Sequence, residues 1–282
     1  MGRYLRPTSL ESALATLAQS RPTILAGGTD HFPARVVGAP DEDILDLTSL
    51  PGLRAIAVGP DHVNIPCLAT WTDLIAARLP PAFDGLRAAA RQVGGVQVQN
   101  AATVLGNVCN ASPAADGMPC LLALDAEIEL ASAAAGRRVL PLADFVLGPR
   151  TTARRPDELA LGLRIPLPAA PARAVFEKLG ARRYLVISIV MVAAVAEFLP
   201  DGRIARARVA VGACSPVAAR LPALEAALAG HWPDPALVQP EHLAALAPID
   251  DIRATAAYRR IAALELARRA VAALGDARAV AA

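Results

Sequence analysis

The 282-residue sequence is short of several things, and each shortage excludes something. It lacks lysine: of 28 basic residues, all but Lys178 are arginine. It lacks net charge, because 26 acidic residues leave a balance of only +2. There is therefore no electrostatic footprint for nucleic acid or for an anionic membrane surface. The four cysteines, Cys67, Cys109, Cys120 and Cys214, form no C-x-x-C pair and are far too sparse for a disulfide scaffold. A reduced, cytoplasmic setting is the expectation. His31, His62, His231 and His242 have no metal-ligand spacing with one another or with cysteine, and Cys109 and Cys120 lack the spacing of an iron–sulfur site. No dinucleotide fingerprint, phosphate-binding P-loop, serine elbow or Cys/His nucleophile pattern occurs. The most apolar stretch, 184–196, is shorter than the roughly 20 residues that span a bilayer, and its β-branched content reads as a buried strand. The start, Met1-Gly2-Arg3-Tyr4-Leu5-Arg6, has no apolar run behind its charges and is not expected to be a signal peptide.

What is present is apolar sequence: 54% hydrophobic against 19% charged residues predicts folding into two or three compact units over a large core. Residues 1–55 read as a small α/β unit, with a helix from about 9 to 18 capped by Thr8 or Ser9 and strands at 23–26 and 44–47. Residues 56–168 read as a second unit. It opens with a hairpin around Gly59-Pro60-Asp61 and helices at 72–79 and 86–93, then runs into a long loop at 100–119. A helical turn at 121–124, a strand at 126–130 and closing segments at 141–145 and 159–166 complete it. After a Pro/Ala-rich linker, residues 172–282 mix strands at 174–179, 185–198 and 204–211 with helices at 218–228, 240–246 and 258–274. That order predicts an α+β arrangement.

Three features carry candidate chemistry. The first is Leu25-Ala26-Gly27-Gly28-Thr29-Asp30, a strand ending in two glycines. Such a bend can present successive backbone N–H groups to a phosphate, with the Thr29 hydroxyl as an added donor; it is also compatible with an ordinary Gly-Gly turn. The second is the run 97–116, rich in small hydrogen-bonding residues. Within it Thr103, Asn107, Ser112 and Asp116 offer hydroxyl, amide and carboxylate groups suited to a polyol or phosphate chain, or to a loop tied by its own Asx and Ser turns. A ligand between the two units is one arrangement that uses both features. The third is Lys178. A compact ammonium differs from a guanidinium, and it suits an electron-rich ring or a reduced anionic cofactor. An ion pair with Glu177 or with a cross-strand acid is the plainer alternative. The pairs Arg154-Arg155 and Arg182-Arg183 read as solvated or interface arginines.

These stretches resemble a family. Ala26-Gly27-Gly28-Thr29-Asp30, the run 97–116 and Pro119-Cys120-Leu121-Leu122-Ala123-Leu124-Asp125-Ala126 are similar to the FAD-binding medium subunit of molybdenum hydroxylases, which includes carbon monoxide, xanthine and nicotine dehydrogenases. The similarity continues in order through Arg138-Val139-Leu140-Pro141-Leu142-Ala143-Asp144-Phe145, Gly148-Pro149-Arg150-Thr151-Thr152, Phe176-Glu177-Lys178 and Tyr258-Arg259-Arg260. It implies a two-lobed FAD-binding fold of the vanillyl-alcohol-oxidase type (1–55 and 56–168) with a C-terminal α+β domain (172–282) built on a small antiparallel sheet.

By the same resemblance, FAD would be bound by Leu25, Ala26, Gly27, Gly28, Thr29 and Asp30 and by Ala102, Thr103, Leu105, Gly106 and Asn107, with its pyrophosphate on the Gly27–Asp30 turn and the Thr103–Asn107 loop. Asp116 would bond the ribityl chain, and Ser112 would also bind the cofactor. Lys178 would stand near the isoalloxazine ring as the catalytic charge. Where the family has Thr-Ile-Gly-Gly-Asn this chain has Thr103-Val104-Leu105-Gly106-Asn107, and Gln99 stands where arginine is usual. The implied role is electron transfer: from [2Fe–2S] clusters on a small subunit, fed by a molybdopterin-binding large subunit, to FAD here and on to an external acceptor. The assembly would be a heterotrimer or a dimer of heterotrimers, with no nucleic acid and no membrane span. Two alternatives stand beside it: a stand-alone flavin oxidase, and an FAD-free scaffold subunit of the same complex.

Overall fold

The computed structural model describes residues 2–35 and 41–276. A small parallel sheet comes first. β1 (Tyr4–Leu5) and β2 (Thr23–Leu25) flank β3 (Ile44–Asp46), and α1 (Leu10–Ser20) crosses from β1 to β2. α1 begins where Ser9 Oγ accepts from the Ser12 N–H at 3.2 Å, and it buries Ala13 and Leu17, four residues apart on one face. Ser9, one of the two expected caps, is the cap.

Next come β4 (Ala57–Val58) and β5 (His62–Pro66), then α2 (Trp71–Ala76), α3 (Asp84–Ala90), α4 (Val96–Ala101), α5 (Val104–Cys109) and α6 (Gly117–Ala123). β6 (Glu127–Ser132), β7 (Gly136–Pro141), α7 (Leu142–Phe145), the short pair β8 (Val146–Gly148) and β9 (Thr151–Thr152), and β10 (Leu159–Pro166) follow. Five of these strands form an antiparallel sheet in the order β4-β5-β10-β6-β7. The expected loop at 100–119 is instead built mostly of the end of α4, all of α5 and the start of α6. Glycine and asparagine disfavour helix in isolation, but Val104, Leu105 and Val108 on α5 and Met118, Cys120 and Leu121 on α6 are buried, and packing overrides propensity. β7, β8 and β9 carry no clear alternation, and the sequence reading missed them.

The last sheet runs β11 (Ala172–Leu179), β12 (Val190–Phe198), β13 (Ile204–Gly212) and β14 (Ala219–Arg220), all antiparallel, with α8 (Pro222–Leu228) and α9 (Ala256–Gly275). β12 is buried on both faces. Met191, Ala193 and Val195 join the main core under the first two sheets, while Val190, Val192, Ala194 and Ala196 join a second core with α8 and α9. Period-2 side chains on a doubly covered strand make an unbroken apolar run, which is why the sequence shows one there. β12 begins at Val190 because residues 181–188 form an irregular connection. The expected helix at 218–228 starts as β14, since Ala219 and Arg220 pair with β13. The expected helix at 240–246 is a single 3-10 turn, Pro240–Leu243. One carboxylate clamps this sheet to the helices: Asp125 accepts from Arg206 (3.0 Å), Arg208 (3.2 Å) and Arg220 (2.7 Å). Among the described residues no helix is long and apolar enough to cross a membrane.

Candidate functional site

The first bend follows β2. Gly28 has φ +68°, a conformation open to glycine and strained for other residues. The bend is closed by the Phe32 N–H donating to Gly28 O (3.1 Å) and the Ala34 N–H to Asp30 O (3.3 Å). Among the described residues, the N–H groups of Gly27, Gly28, Thr29 and Asp30 donate to no protein acceptor. Successive unspent donors of this kind suit an anion.

The second bend joins α4 to α5. The Trp71 N–H donates to Ala102 O (3.2 Å), the Val104 N–H to Ala69 O (2.9 Å), and Thr70 and Thr103 pair as an isolated bridge. Thr103 Oγ1 then accepts from the Gly106 N–H at 3.0 Å and caps α5. The two bends touch. A Cβ on Gly27 would lie 2.0 Å from Ala101 O and 2.9 Å from the Ala102 Cα, so only glycine lets the backbones approach this closely.

Around this contact opens a cavity of about 680 Å³. Leu25, Ala26, Gly27, Gly28, Thr29 and Asp30 line it from one side, and Ala102, Thr103, Leu105, Gly106 and Asn107 from the other. Leu105, the departure from the family pattern, keeps only 2% of its surface exposed and belongs to the core. Asp30 turns its carboxylate to Arg150 (2.8 Å), which also donates to Asn110 O at 3.3 Å and to Asn110 Oδ1.

Ser112, Asp116 and Lys178 do not line the cavity. Ser112 Oγ accepts from the Ala114 N–H at 3.3 Å, a local turn. Lys178 Nζ donates to Asp116 Oδ2 at 2.6 Å, and the two side chains are only 5% and 9% exposed. The Ser188 hydroxyl donates to Asp116 Oδ1 at 2.5 Å. Burial pushes the Asp116 carboxyl up, while Lys178 and Ser188 pull the other way. Lys178 thus pairs neither with Glu177 nor across the strand, where Met191 faces it. Its Nζ also donates to Gln92 O at 3.4 Å, and the next residue, Val93, lines the cavity.

Sequence reasoning missed Trp71 and Arg154, both of which line the cavity. Trp71 sits beside the predicted helix at 72–79 with no motif to mark it, and Arg154 reads as half of a solvated pair. Cys67 and Cys109 line it too. Burial pushes their thiols up, to about 12 for Cys67 and about 11 for Cys109, the latter against the pull of the Arg154 guanidinium. Both therefore stay protonated near neutral pH, and among the described residues no cluster of side chains could hold a metal ion.

Residues 1–168 match the family described as the FAD binding domain in molybdopterin dehydrogenase, and residues 175–274 match the CO dehydrogenase flavoprotein C-terminal domain. The chain belongs to this FAD-binding family of molybdopterin dehydrogenases. It is 31% identical over 227 residues to the putative xanthine dehydrogenase FAD-binding subunit of Escherichia coli K12, covering 77% of this chain and 75% of that one. It is 28% identical to the nicotine 6-hydroxylase medium subunit of Paenarthrobacter nicotinovorans, covering 95% of both chains. In structure it is similar to a chain of carbon monoxide dehydrogenase from Hydrogenophaga pseudoflava lacking the Mo-pyranopterin moiety. That match has a TM-score of 0.89 at 29% identity and covers 97% of this chain and 96% of that one. The molybdopterin-dehydrogenase FAD domain is an oxidoreductase component, and this site has the donors and the unspent polar atoms such a cofactor requires. Besides the four free N–H groups, Asn107 Oδ1 and Trp71 Nε1 are buried without a partner among the described residues.

Proposed function

We propose that this chain is the FAD-containing electron-transfer subunit of a molybdopterin hydroxylase or dehydrogenase. In this reading it takes electrons from [2Fe–2S] clusters on a small partner subunit, fed by a molybdopterin-binding large subunit, and passes them to an external acceptor in the cytoplasm. The observation that carries the reading is the contact of the two bends at Gly27 and Ala101, on the edge of one cavity. The parallel sheet and the five-stranded sheet would be the two lobes of a vanillyl-alcohol-oxidase-type fold (1–55 and 56–168), and residues 172–282 the C-terminal domain. The match along 95% of a nicotine hydroxylase medium subunit supports assembly as a heterotrimer or a doubled heterotrimer.

Bound FAD would supply reversible electron storage that no side chain here can provide. The protein's part is to hold it. The N–H groups of residues 27–30 and the Thr103 hydroxyl bind phosphate, and Asn107 orients the chain between phosphate and ring. Asp116 would serve the ribityl chain and Ser112 would add a further contact to the cofactor, although neither lines the cavity. Lys178, fixed by Asp116 and by the carbonyl of Gln92 next to the cavity-lining Val93, would stand near the ring as an ion-paired ammonium. A positive charge there favours an electron-rich ring, which makes Lys178 the catalytic candidate.

One absorption spectrum of the purified full chain, followed by co-purification with chains encoded beside it, tests this. The expected result is a yellow protein with about one FAD per chain that assembles with two other subunits and turns over no small molecule alone. Turnover by the isolated chain would favour a stand-alone flavin oxidase. A colourless chain that still assembles would favour an FAD-free scaffold, the reading that Leu105 suggests.

A further inference from the structure

We propose that Arg154, which lines the same cavity as the two bends, binds a phosphate of the cofactor; this deepens the FAD reading above and rests on it. Arg154 is half-buried and lines the cavity. The other arginines of its neighbourhood have carboxylate partners: Arg138 and Arg155 share Glu158, and Arg150 holds Asp30. Among the described residues Arg154 has none. Its Nη1 donates to two backbone carbonyls, Arg155 O at 3.1 Å and Glu158 O at 2.7 Å. Its Nε and Nη2 donate to no protein acceptor among the described residues. A guanidinium anchored through one nitrogen, with the rest of its fork unspent, is free to take an anion in a charge-assisted pair.

The loop that carries Arg154 is rigid. Glu158 is 2% exposed, and its carboxylate accepts from Arg138 Nε (2.6 Å), Arg138 Nη2 (2.8 Å) and the Arg155 N–H (2.7 Å). Arg138 Nη2 also donates to Ala153 O at 2.8 Å, and the Ala153 N–H to Phe145 O at 2.8 Å. The guanidinium is thus preoriented on both flanks, as a binding residue needs to be.

The charges on the cavity wall agree. Of its ionisable lining residues, Asp30 is neutralised by Arg150, His31 lies 3.6 Å from Glu42, and Arg21 is exposed. Arg154 is left as the half-buried cation of the wall with no carboxylate partner among the described residues, in a wall that also offers a row of backbone N–H groups. Both are chemistry for a doubly anionic diphosphate, and a guanidinium fork meets phosphate oxygens pairwise.

The test is calorimetric titration of the flavin-stripped full chain with FAD, ADP and adenosine, comparing wild type with Arg154→Leu and Arg154→Lys. Arg154→Leu should weaken FAD and ADP about ten- to a hundredfold, the range for a lost hydrogen bond to a charged group, and leave adenosine unchanged. Arg154→Lys, which keeps the charge but not the fork, should fall between. If wild type binds FAD and Arg154→Leu binds it equally well, the role of Arg154 is overturned while the FAD reading stands. Equal weakening of ADP and adenosine would also overturn it, because the arginine would then act on the base or on the fold. A wild-type chain that binds no FAD removes the reading itself.

Discussion

Replacing Gly27 by alanine adds one methyl group at the point where the two bends touch. The new Cβ would lie 2.0 Å from Ala101 O, about 1.5 Å inside the ~3.5 Å at which non-bonded heavy atoms attract. It would also lie 2.8 Å from the Ala101 carbonyl carbon and 2.9 Å from the Ala102 Cα. All three are backbone atoms, so no rotamer change relieves the clash. The bend at 101–103 is itself tied to residues 69–71 by hydrogen bonds of 2.9 and 3.2 Å, so it cannot swing away without breaking them. The cost belongs at the upper end of overpacking, about 3 kcal/mol. A loss of that size leaves a typical domain folded but lowers Tm by roughly 6–12 °C. Differential scanning fluorimetry and the flavin-to-protein absorbance ratio read both consequences: a lower Tm and lower FAD content. Gly52→Ala is the control. Gly52, unlike Gly27, has a positive φ, +74°, but nothing lies within 4 Å of its Cβ, so it should cost only the ~1 kcal/mol of the backbone conformation and leave FAD content alone. A Gly27→Ala chain with wild-type Tm and full flavin would refute the contact between the bends.

Three further outcomes follow from the same geometry. Lys178→Met strands Asp116 in the interior and should cost about 3–5 kcal/mol in urea unfolding, whereas adding Asp116→Leu should recover most of it; equal stability of the single and double variants would argue against a tight pair. Asn107→Leu removes a buried oxygen that has no protein partner, so the flavin-free chain should lose no stability while its FAD affinity falls by about tenfold, measured by fluorescence titration. Burial pushes the Asp251 carboxyl up, but the Arg253 N–H, the Arg259 guanidinium and the Ala254 N–H outweigh it and hold it at about 2. Its folded value is thus below the ordinary ~3.9, so its contribution is complete above about pH 4 and is lost as pH falls towards 2. Unfolding midpoints taken from pH 5 to pH 2 should drop less steeply for Asp251→Asn than for wild type.

The legible parts of this molecule are those where local rules and packing agree. The capped helix after Ser9, the glycine bend at 27–28 and the apolar run of β12 could be read directly. Each is specified by a handful of neighbouring residues: a hydroxyl at an N-cap, a φ of +68° that favours glycine, and side chains alternating into two cores. The run 100–119 was misread because its Gly, Asn, Ser and Pro residues are turn formers in isolation. Its helices exist because Val104, Leu105, Val108, Leu121 and Leu122 are buried by elements distant in sequence. Of the site, both bends and their convergence on one ligand were expected from the sequence, but not their direct backbone contact, since no local pattern encodes an approach so close that a Cβ on Gly27 would lie 2.0 Å from Ala101 O. Arg154 was hidden for the opposite reason: a chain that spells nearly every cation as arginine gives no single arginine a signal.

Lys178 shows how the third sheet is tied to the helices beside the cavity. Read alone, the lysine has the choice of solvent, of Glu177, or of a ligand. In the fold it is buried on β11 and shared between Asp116, at the start of α6, and Gln92, at the end of the segment after α3. Ser188, just before β12, closes on the same carboxylate. Four stretches from two parts of the chain therefore meet at one buried charge, and none satisfies its polar groups without the others. Separating the third sheet from the helices would break the Lys178–Asp116 pair and the hydrogen bonds of Ser188 and Gln92 with it, and water would take up both charges. Met191, Ala193 and Val195 in the main core hold the sheet against the helices, and the buried pair fixes its register there, because a shifted β11 would leave either Lys178 or Asp116 buried without the other.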